Sequence, residues 1–302
     1  MVKSYLRLNE DERNIAREFT RQAFRLEKIS EEELDKEIIN KFNNFGEVVF
    51  FLFEDNKVIG FINIILELAN INKTVYINKV RFSKVEAVNI LIDEAIRFLD
   101  KNYKVNEIYL GIRNEKALEF VREADYGVEY GSYKMELLDI EPKARVLEKE
   151  IISEEKIEEY FDLYNESFSD MPHATYRSLE ELKEFYYKMD EKNQGYIIKD
   201  GKVPIGFLEI EIKEDGRGFF DIGLKKKFRG KGYGKRILET AIQTLIEKGV
   251  NKVSLIVIGR NIIAFEMYKK RGFKIYEKMS DWVILRSTFL LLFLKVIYQR
   301  NY

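Results

Sequence analysis

Apolar residues recur along this chain with two alternating rhythms. Where they return every three or four positions, the spacing predicts helices over 12–43, 84–101 and 114–123. Where they fall on every second position or form short runs, it predicts strands over 48–54, 58–67, 74–82, 105–112 and Tyr130 to Leu138. The same order then returns. Helices are predicted over 153–168 and 178–190, and strands over 195–199, 204–213 and 218–225. A helix over 233–248, a strand over 251–258, a helix over 261–271 and a last strand over 280–285 follow. Turn formers, Glu54-Asp55-Asn56 and Asp200-Gly201, separate the first two long strands of each series, as hairpins require. Strands interleaved with helices in this way define an α/β class of layered α+β type.

The recurrence extends to the residues. Ile59-Gly60-Phe61 matches Ile205-Gly206-Phe207, and Leu91 to Ile96 matches Ile237 to Ile242, both at a shift of 146. Arg113-Asn114 with Ala117 matches Arg260-Asn261 with Ala264 at a shift of 147. Ordered matches at one spacing predict two copies of one domain. The boundary is expected near Glu141-Pro142-Lys143, where Pro142 ends an alternating strand. Beyond it, Ser153 reads as the N-cap of a helix that carries Ile157, Tyr160, Phe161 and Tyr164 on one face. The domains are then 1–144 and 145–286, with 287–302 as an apolar extension.

A length of 302 residues suits two domains of about 150 each. The chain is 46% hydrophobic and 34% charged, enough for a core in each copy. Lys and Arg number 51 against 52 Asp and Glu, a balance that argues against a non-specific nucleic-acid binder. Cysteine is absent, which excludes disulfides and thiolate nucleophiles, and the single histidine, His173, excludes any two-histidine site. The N-terminal MVKSYLRLNEDER lacks the apolar segment of a secretory signal, so a cytoplasmic location is expected. Phe289 to Leu294 is wholly apolar but far shorter than the roughly 18 residues a spanning helix needs. It is expected to cover an edge and to favour self-association as a homodimer, without membrane contact.

Candidate chemistry concentrates in Phe228-Arg229-Gly230-Lys231-Gly232-Tyr233-Gly234-Lys235-Arg236. This word lies between an apolar strand and a helix whose core face is Ile237, Ala241, Leu245 and Ile246. Three alternate glycines let the backbone curl without Cβ obstruction. A curl at a helix start aims several N–H groups at one point, which also feels the positive end of the helix dipole. An anionic phosphate suits that point, and seven cations within Lys225 to Arg236 suit more than one. The plain alternative is a glycine-rich turn with a solvated basic face. A P-loop is excluded because Lys231 is followed by Gly232. A dinucleotide fingerprint is excluded because the third glycine comes one residue early.

These residues resemble the GNAT superfamily of N-acetyltransferases. The family's pyrophosphate loop, Arg/Gln-x-x-Gly-x-Gly/Ala, is matched by Arg229, Gly232 and Gly234. A second hallmark is matched by Asn261, Ala264, Tyr268, Gly272 and Phe273. The resemblance rests on motifs over 195–285 and on helix order alone over 145–194. It implies two GNAT-like domains in tandem, each a mixed, mostly antiparallel sheet flanked by helices. It also implies acetyl-CoA as co-substrate, no metal, and direct attack by an amine. Its pyrophosphate would lie on the N–H groups of Arg229, Gly230, Lys231, Gly232, Tyr233, Gly234 and Lys235. The pantetheine arm would follow the strand ending near Leu224, whose N–H would serve as oxyanion donor. Tyr268 would protonate the departing thiolate. Asn261 would steady the pantetheine or an ordered water. For the base, Asp221, Glu209 and Glu211 lie on strands flanking the expected cleft, and Asp221 is preferred. Each of these carboxylates reads equally as a solvated strand charge, and Tyr268 also reads as a core aromatic.

The first half lacks this equipment. Ser83 to Val88 falls on Arg229 to Gly234 without a glycine, Glu86 falls on Gly232, and Val121 falls on Tyr268. Only Asn114 is retained. The first half thus resembles a GNAT domain whose acetyl-CoA site is lost, and only the second is expected to bind it. The acceptor, expected to be a small-molecule amine, would meet Tyr164 to Tyr176. There Glu166 and Asp170 could hold an amino group, while Phe168, Tyr176 and Tyr186-Tyr187 form a wall. An ordinary helix–loop–helix is the competing reading, and His173 reads as a loop histidine rather than a base. Two other functions stay open. One is a non-catalytic module that binds CoA or a partner. The other is an RNA-binding basic strip, against which the lack of interleaved aromatics counts.

Overall fold

The computed structural model describes residues 1–286 except Glu27, Pro142 and Ala174. The apolar extension 287–302 and the boundary residue Pro142 therefore lie outside the described residues. The chain forms two compact units. Unit 1 comprises Met1–Gly131 together with the segment from Ser280, and unit 2 comprises Ser132–Met279.

Unit 1 begins with β1 (Val2–Ser4), α1 (Glu10–Phe24) and α2 (Glu31–Ile38). The helical pattern expected over 12–43 is interrupted because Arg25 turns left-handed after Phe24. Ser30 then starts a new helix in a capping box with Glu33. The series continues with β2 (Val49–Glu54), β3 (Lys57–Ile65), β4 (Thr74–Phe82), α3 (Val85–Asn102), β5 (Glu107–Ile112) and α4 (Glu115–Glu123). The next strand, β6 (Tyr130–Leu137), passes into unit 2.

Unit 2 continues with β7 (Glu148–Ile151), α5 (Ile157–Phe168), α6 (Leu179–Tyr187), β8 (Asn193–Asp200), β9 (Val203–Ile212) and β10 (Arg217–Leu224). Then come α7 (Tyr233–Glu247), β11 (Lys252–Ile258), α8 (Ile262–Arg271) and β12 (Lys274–Arg286). Ser153 precedes a 3-10 turn, Glu154–Lys156, and makes no side-chain cap. The strands of unit 2 run in the order β6-β11-β10-β9-β8-β7. Only the β10–β11 pair is parallel, so the sheet is mixed and mostly antiparallel, as expected.

The period-2 pattern gives this sheet two apolar faces. Leu208, Ile210, Phe220, Val253 and Leu255 pack against Ile237, Ala241 and Leu245 of α7. Ile197 and Phe207 on the other face pack against Tyr160, Leu163, Tyr164 and Leu182 of α5 and α6. Each Val, Leu, Ile or Phe among them contributes about 1.5–3 kcal/mol when fully buried.

The division of the chain differs from the expected one in its last strands. β6 follows the helices of the first half but pairs antiparallel with β11, at Met135↔Leu255. The end of β12 follows the helices of the second half but pairs antiparallel with β5, at Trp282↔Gly111. Gly111 makes room for the indole, since a Cβ there would lie 2.6 Å from a Trp282 ring carbon. The expected boundary at Glu141 to Lys143 lies within unit 2 and is no loose linker. Arg271, nearly buried, donates from Nε to Glu239 at 2.6 Å and from Nη2 to the carbonyl of Glu141 at 2.7 Å. Glu239 in turn accepts the Lys143 N–H at 3.0 Å, and Thr240 Oγ1 accepts that of Leu147 at 2.8 Å. No helix among the described residues is long and apolar enough to cross a membrane.

Candidate active site

A cleft opens where β10 and β11 separate. They pair only at Arg217↔Lys252, Gly218↔Val253 and Phe219↔Ser254, although β10 continues to Leu224. On its other side β10 stays paired with β9 through Leu224↔Gly206. The Lys213 N–H donates to Arg217 O, and the Lys225 N–H donates to Ile205 O. These bonds fix the alternation between them, so Asp221 and Gly223 exchange hydrogen bonds with β9. The N–H groups of Ile222 and Leu224 therefore face the gap. Two glycines keep the strands close, since a Cβ on Gly206 would lie 2.1 Å from the carbonyl oxygen of Gly223.

The glycine-punctuated bend follows directly. A 3-10 turn, Lys226–Phe228, leads to Gly230 (φ 74°) and Gly232 (φ 85°), both in the left-handed region that a side chain disfavours. Gly232 is the N-cap of α7, and no side chain caps that helix. Asn or Ser side chains cap α1, α2, α4, α6 and α8. The first N–H groups of α7, from Tyr233 to Arg236, thus have no partner within the helix and carry its positive dipole end. A Cβ on Gly230 or Gly232 would meet nothing within 4 Å, so the bend borders open space. Lys231 and Lys235 make no ion pair among the described residues, while the Tyr233 hydroxyl donates to Asp200.

Arg229 has a different task from the one expected. Its N–H donates to Lys226 O, and its Nε to the carbonyl of Leu224 at 3.0 Å. Nη2 donates to Ser167 O at 2.8 Å and Nη1 to Asp170 at 2.9 Å. The guanidinium braces the bend against the end of α5. Asp170 also pairs with Lys226 at 3.4 Å, and Glu166 pairs with Lys225 at 3.5 Å. Burial raises the Asp170 carboxyl, but the bonds and charge of Arg229 and Lys226 hold it below its usual range. The two acids expected to hold an amino group are thus committed to the basic loop.

The three candidate bases separate clearly. Glu211 pairs with Lys213 on the surface. Glu209 is buried and accepts from Arg177 Nη1 at 2.6 Å, from Nη2 at 3.1 Å and from the Tyr160 hydroxyl at 2.8 Å. Asp221 stands directly opposite Glu209 in the ladder and has no hydrogen bond or ion pair among the described residues. Its carboxyl meets solvent, yet packed protein around it desolvates the charge. That desolvation, with the charge of Glu209, pushes its pKa up to about 6 against the pull of Arg177.

Tyr268 on α8 is nearly buried, edge-on to Phe220 and Phe273 with ring centroids at 6.3 and 5.8 Å. Burial, then the charge of Asp221, raises its phenol, so it holds its proton. It is both a core aromatic and close enough to Asp221 to feel its charge. Asn261 caps α8 by accepting the Ala264 N–H at 3.3 Å, with Nδ2 3.6 Å from Met171 Sδ. His173 is left-handed (φ 57°), and burial lowers its imidazole to about 3, which keeps it neutral. Phe168 packs on Tyr164 and Phe207, as part of the core. Tyr187 is exposed and bonds Glu154. Arg177 was not legible as a site residue. One cation in a polar loop carries no signal, and its partner Glu209 comes 32 residues later.

Sheet register gives the counterparts in unit 1. Gly60↔Phe82, Phe61↔Arg81 and Asn63↔Asn78 correspond to Gly206↔Leu224, Phe207↔Gly223 and Glu209↔Asp221. A bulge with Lys79 at φ 52° separates Asn78 from Arg81, and a constant shift of 146 misses it. Asn63 and Asn78 therefore stand where unit 2 has its two carboxylates, and Arg81 stands in place of Gly223. Its Nε donates to Ala23 O at 2.9 Å, and its guanidinium lies 4.3 Å from the centre of the Phe24 ring. Lys84 occupies the N-cap position of α3 without a side-chain cap, so Glu86 lies inside the first turn rather than at the cap. Val121 is fully buried.

The Acetyltransferase (GNAT) family matches residues 157–273. Mycothiol acetyltransferase of Corynebacterium aurimucosum is 38% identical over 61 residues, 20% of this chain and 20% of that protein. Spermidine N(1)-acetyltransferase of Thermoplasma acidophilum is 32% identical over 81 residues, 26% of this chain and 50% of that protein. The chain thus spans a fifth to a half of these relatives. A GCN5-related N-acetyltransferase structure from Anabaena variabilis superposes with a TM-score of 0.60 at 14% identity. The match covers 94% of this chain and 72% of that one, and shows a shared fold. Residues 157–273 of the chain, from the start of α5 to just beyond α8, are a GNAT-family acetyltransferase domain.

Proposed function

We propose that unit 2 transfers an acetyl group from acetyl-CoA to the primary amine of a small molecule. The observation that carries this is the uncapped start of α7, set beside a strand edge splayed open at Leu224. The chain's own groups fit a CoA thioester. Gly230 to Lys235 would hold the pyrophosphate, with Lys231 and Lys235 adding charge and Arg229 stiffening the bend from behind. Acetyl-CoA supplies the activated acetyl group. The Leu224 N–H would donate to the carbonyl oxygen as negative charge grows there. Asp221 would take the proton of the incoming ammonium, and Tyr268 would give a proton to the departing sulfur. Asn261 would steady the pantetheine arm while capping α8.

Unit 1 would be a GNAT-like partner without cofactor binding, in a tandem arrangement. Glu86 supplies its own negative charge at the start of α3, and Arg81, the register counterpart of Gly223, carries a long side chain that reaches back to Ala23 O. A small amine is supported by the relative named for spermidine acetylation.

The test is a thiol-release screen of acetyl-CoA with amines, including polyamines, amino acids and antibiotics. Amine-dependent release that disappears in Asp221→Asn supports the proposal. CoA binding without release for any amine would favour a non-catalytic CoA-binding module.

A further inference from the structure

Glu209 and Asp221 are opposite residues on adjacent strands, so their side chains leave the same face of the sheet side by side. Two carboxylates so placed resist ionising together and ordinarily share a proton. Here their surroundings differ sharply. Glu209 receives the Arg177 fork and the Tyr160 hydroxyl, and Asp221 receives nothing. Arg177 is itself held on every side. Its guanidinium lies 4.5 Å from the centre of the Tyr164 ring and 5.4 Å from that of Phe185. Its backbone is clamped by Asn165, which donates to the Arg177 carbonyl at 3.0 Å and accepts the Arg177 N–H at 3.1 Å. Asn165 and Arg177 together fasten both ends of the segment between α5 and α6.

We propose that Arg177 and Glu209 form a positioning pair that gives the two adjoining carboxylates unlike roles. Glu209 is committed to Arg177 and Tyr160, and Asp221 alone is left to exchange a proton with the acceptor. This rests on the reading of Asp221 as the base. The groups that act on Asp221 are Glu209 and Glu211 from β9, Tyr164 from α5, Arg177 from the segment before α6 and Tyr268 from α8. Among them Arg177 is the only cation, and it favours the ionised form of Asp221, while Glu209 opposes it.

The test is a pH titration of the full chain labelled with carboxyl-13C aspartate, read by NMR. The Asp221 resonance is identified by its loss in Asp221→Asn. Glu209→Gln should lower the Asp221 midpoint by about one unit, and Arg177→Met should raise it by about one unit. Arg177→Lys should return it most of the way. Opposite shifts are what a loosened site would not produce. The pairing is overturned if neither variant moves the midpoint, or if both move it in one direction. Should Arg177→Met fail to fold, Glu209→Gln and Arg177→Lys decide between these outcomes. The titration reads the pair whether or not the protein turns over. If thiol release survives in Asp221→Asn while the NMR shifts appear, the base assignment falls and the pair stands.

Discussion

Asp221→Asn should stabilise the folded protein at neutral pH while it destroys turnover. The carboxyl has no partner, and desolvation raises its pKa from an ordinary 3.8 to about 6. Two units of displacement correspond to about 3 kcal/mol, since each unit is worth about 1.4. Solvent reaches the carboxyl, and screening reduces the figure to about 1–2 kcal/mol. The sign follows from linkage. The folded state binds this proton more tightly than the unfolded chain does. The associated stability is therefore fully present below about pH 4 and is lost as pH rises to about 6. An amide of the same shape has no charge to desolvate, so the variant should show no such loss. Urea unfolding of both proteins at pH 4, 5, 6 and 7.5 measures the difference. It should be near zero at pH 4 and grow to about 1–2 kcal/mol in favour of the variant by pH 7.5. A variant less stable than the parent at pH 7.5, or a difference independent of pH, would refute a desolvated, unpartnered base.

Two further outcomes follow from the same geometry. Tyr268→Phe removes a hydroxyl that bonds nothing among the described residues, so unfolding free energy should change by less than about 1 kcal/mol. The rate of thiol release should fall about 100- to 10,000-fold with unchanged CoA affinity. Arg271→Met leaves Glu239 as a buried charge without its partner, and should cost about 3–5 kcal/mol in urea unfolding. Replacing both residues with apolar ones should recover most of that loss.

The order of strands and helices was legible because each element carries its own rhythm. The glycine bend was legible because a left-handed backbone favours glycine, whereas Asn261 and Tyr268 were singled out only by the resemblance to a family motif. What escaped notice depends on distant pairing. Tyr130 to Leu137 and the end of β12 read as final strands of their halves, and nothing local says which sheet each will join. Glu166 and Asp170 carry charge suited to an amine, but the cations that claim them arrive with the loop after β10. The Arg177 pairing that distinguishes Glu209 from Asp221 joins residues 32 positions apart and left no local signal. The repeat spacing of 146 sets Asp221 against Val75, so only the strand register brings out Asn78 as its counterpart.

Isothermal titration of CoA into the full chain tests the phosphate cradle most directly, with Gly232→Ala and Gly232→Glu as comparisons. Both variants strain the left-handed N-cap, but only the second places a carboxylate before α7. A unit charge about 5 Å from a phosphate should weaken binding by about 1–3 kcal/mol, roughly 5- to 150-fold beyond the alanine variant. Equal binding by both variants, or no binding of CoA by the parent chain, would contradict a pyrophosphate held on the open start of that helix.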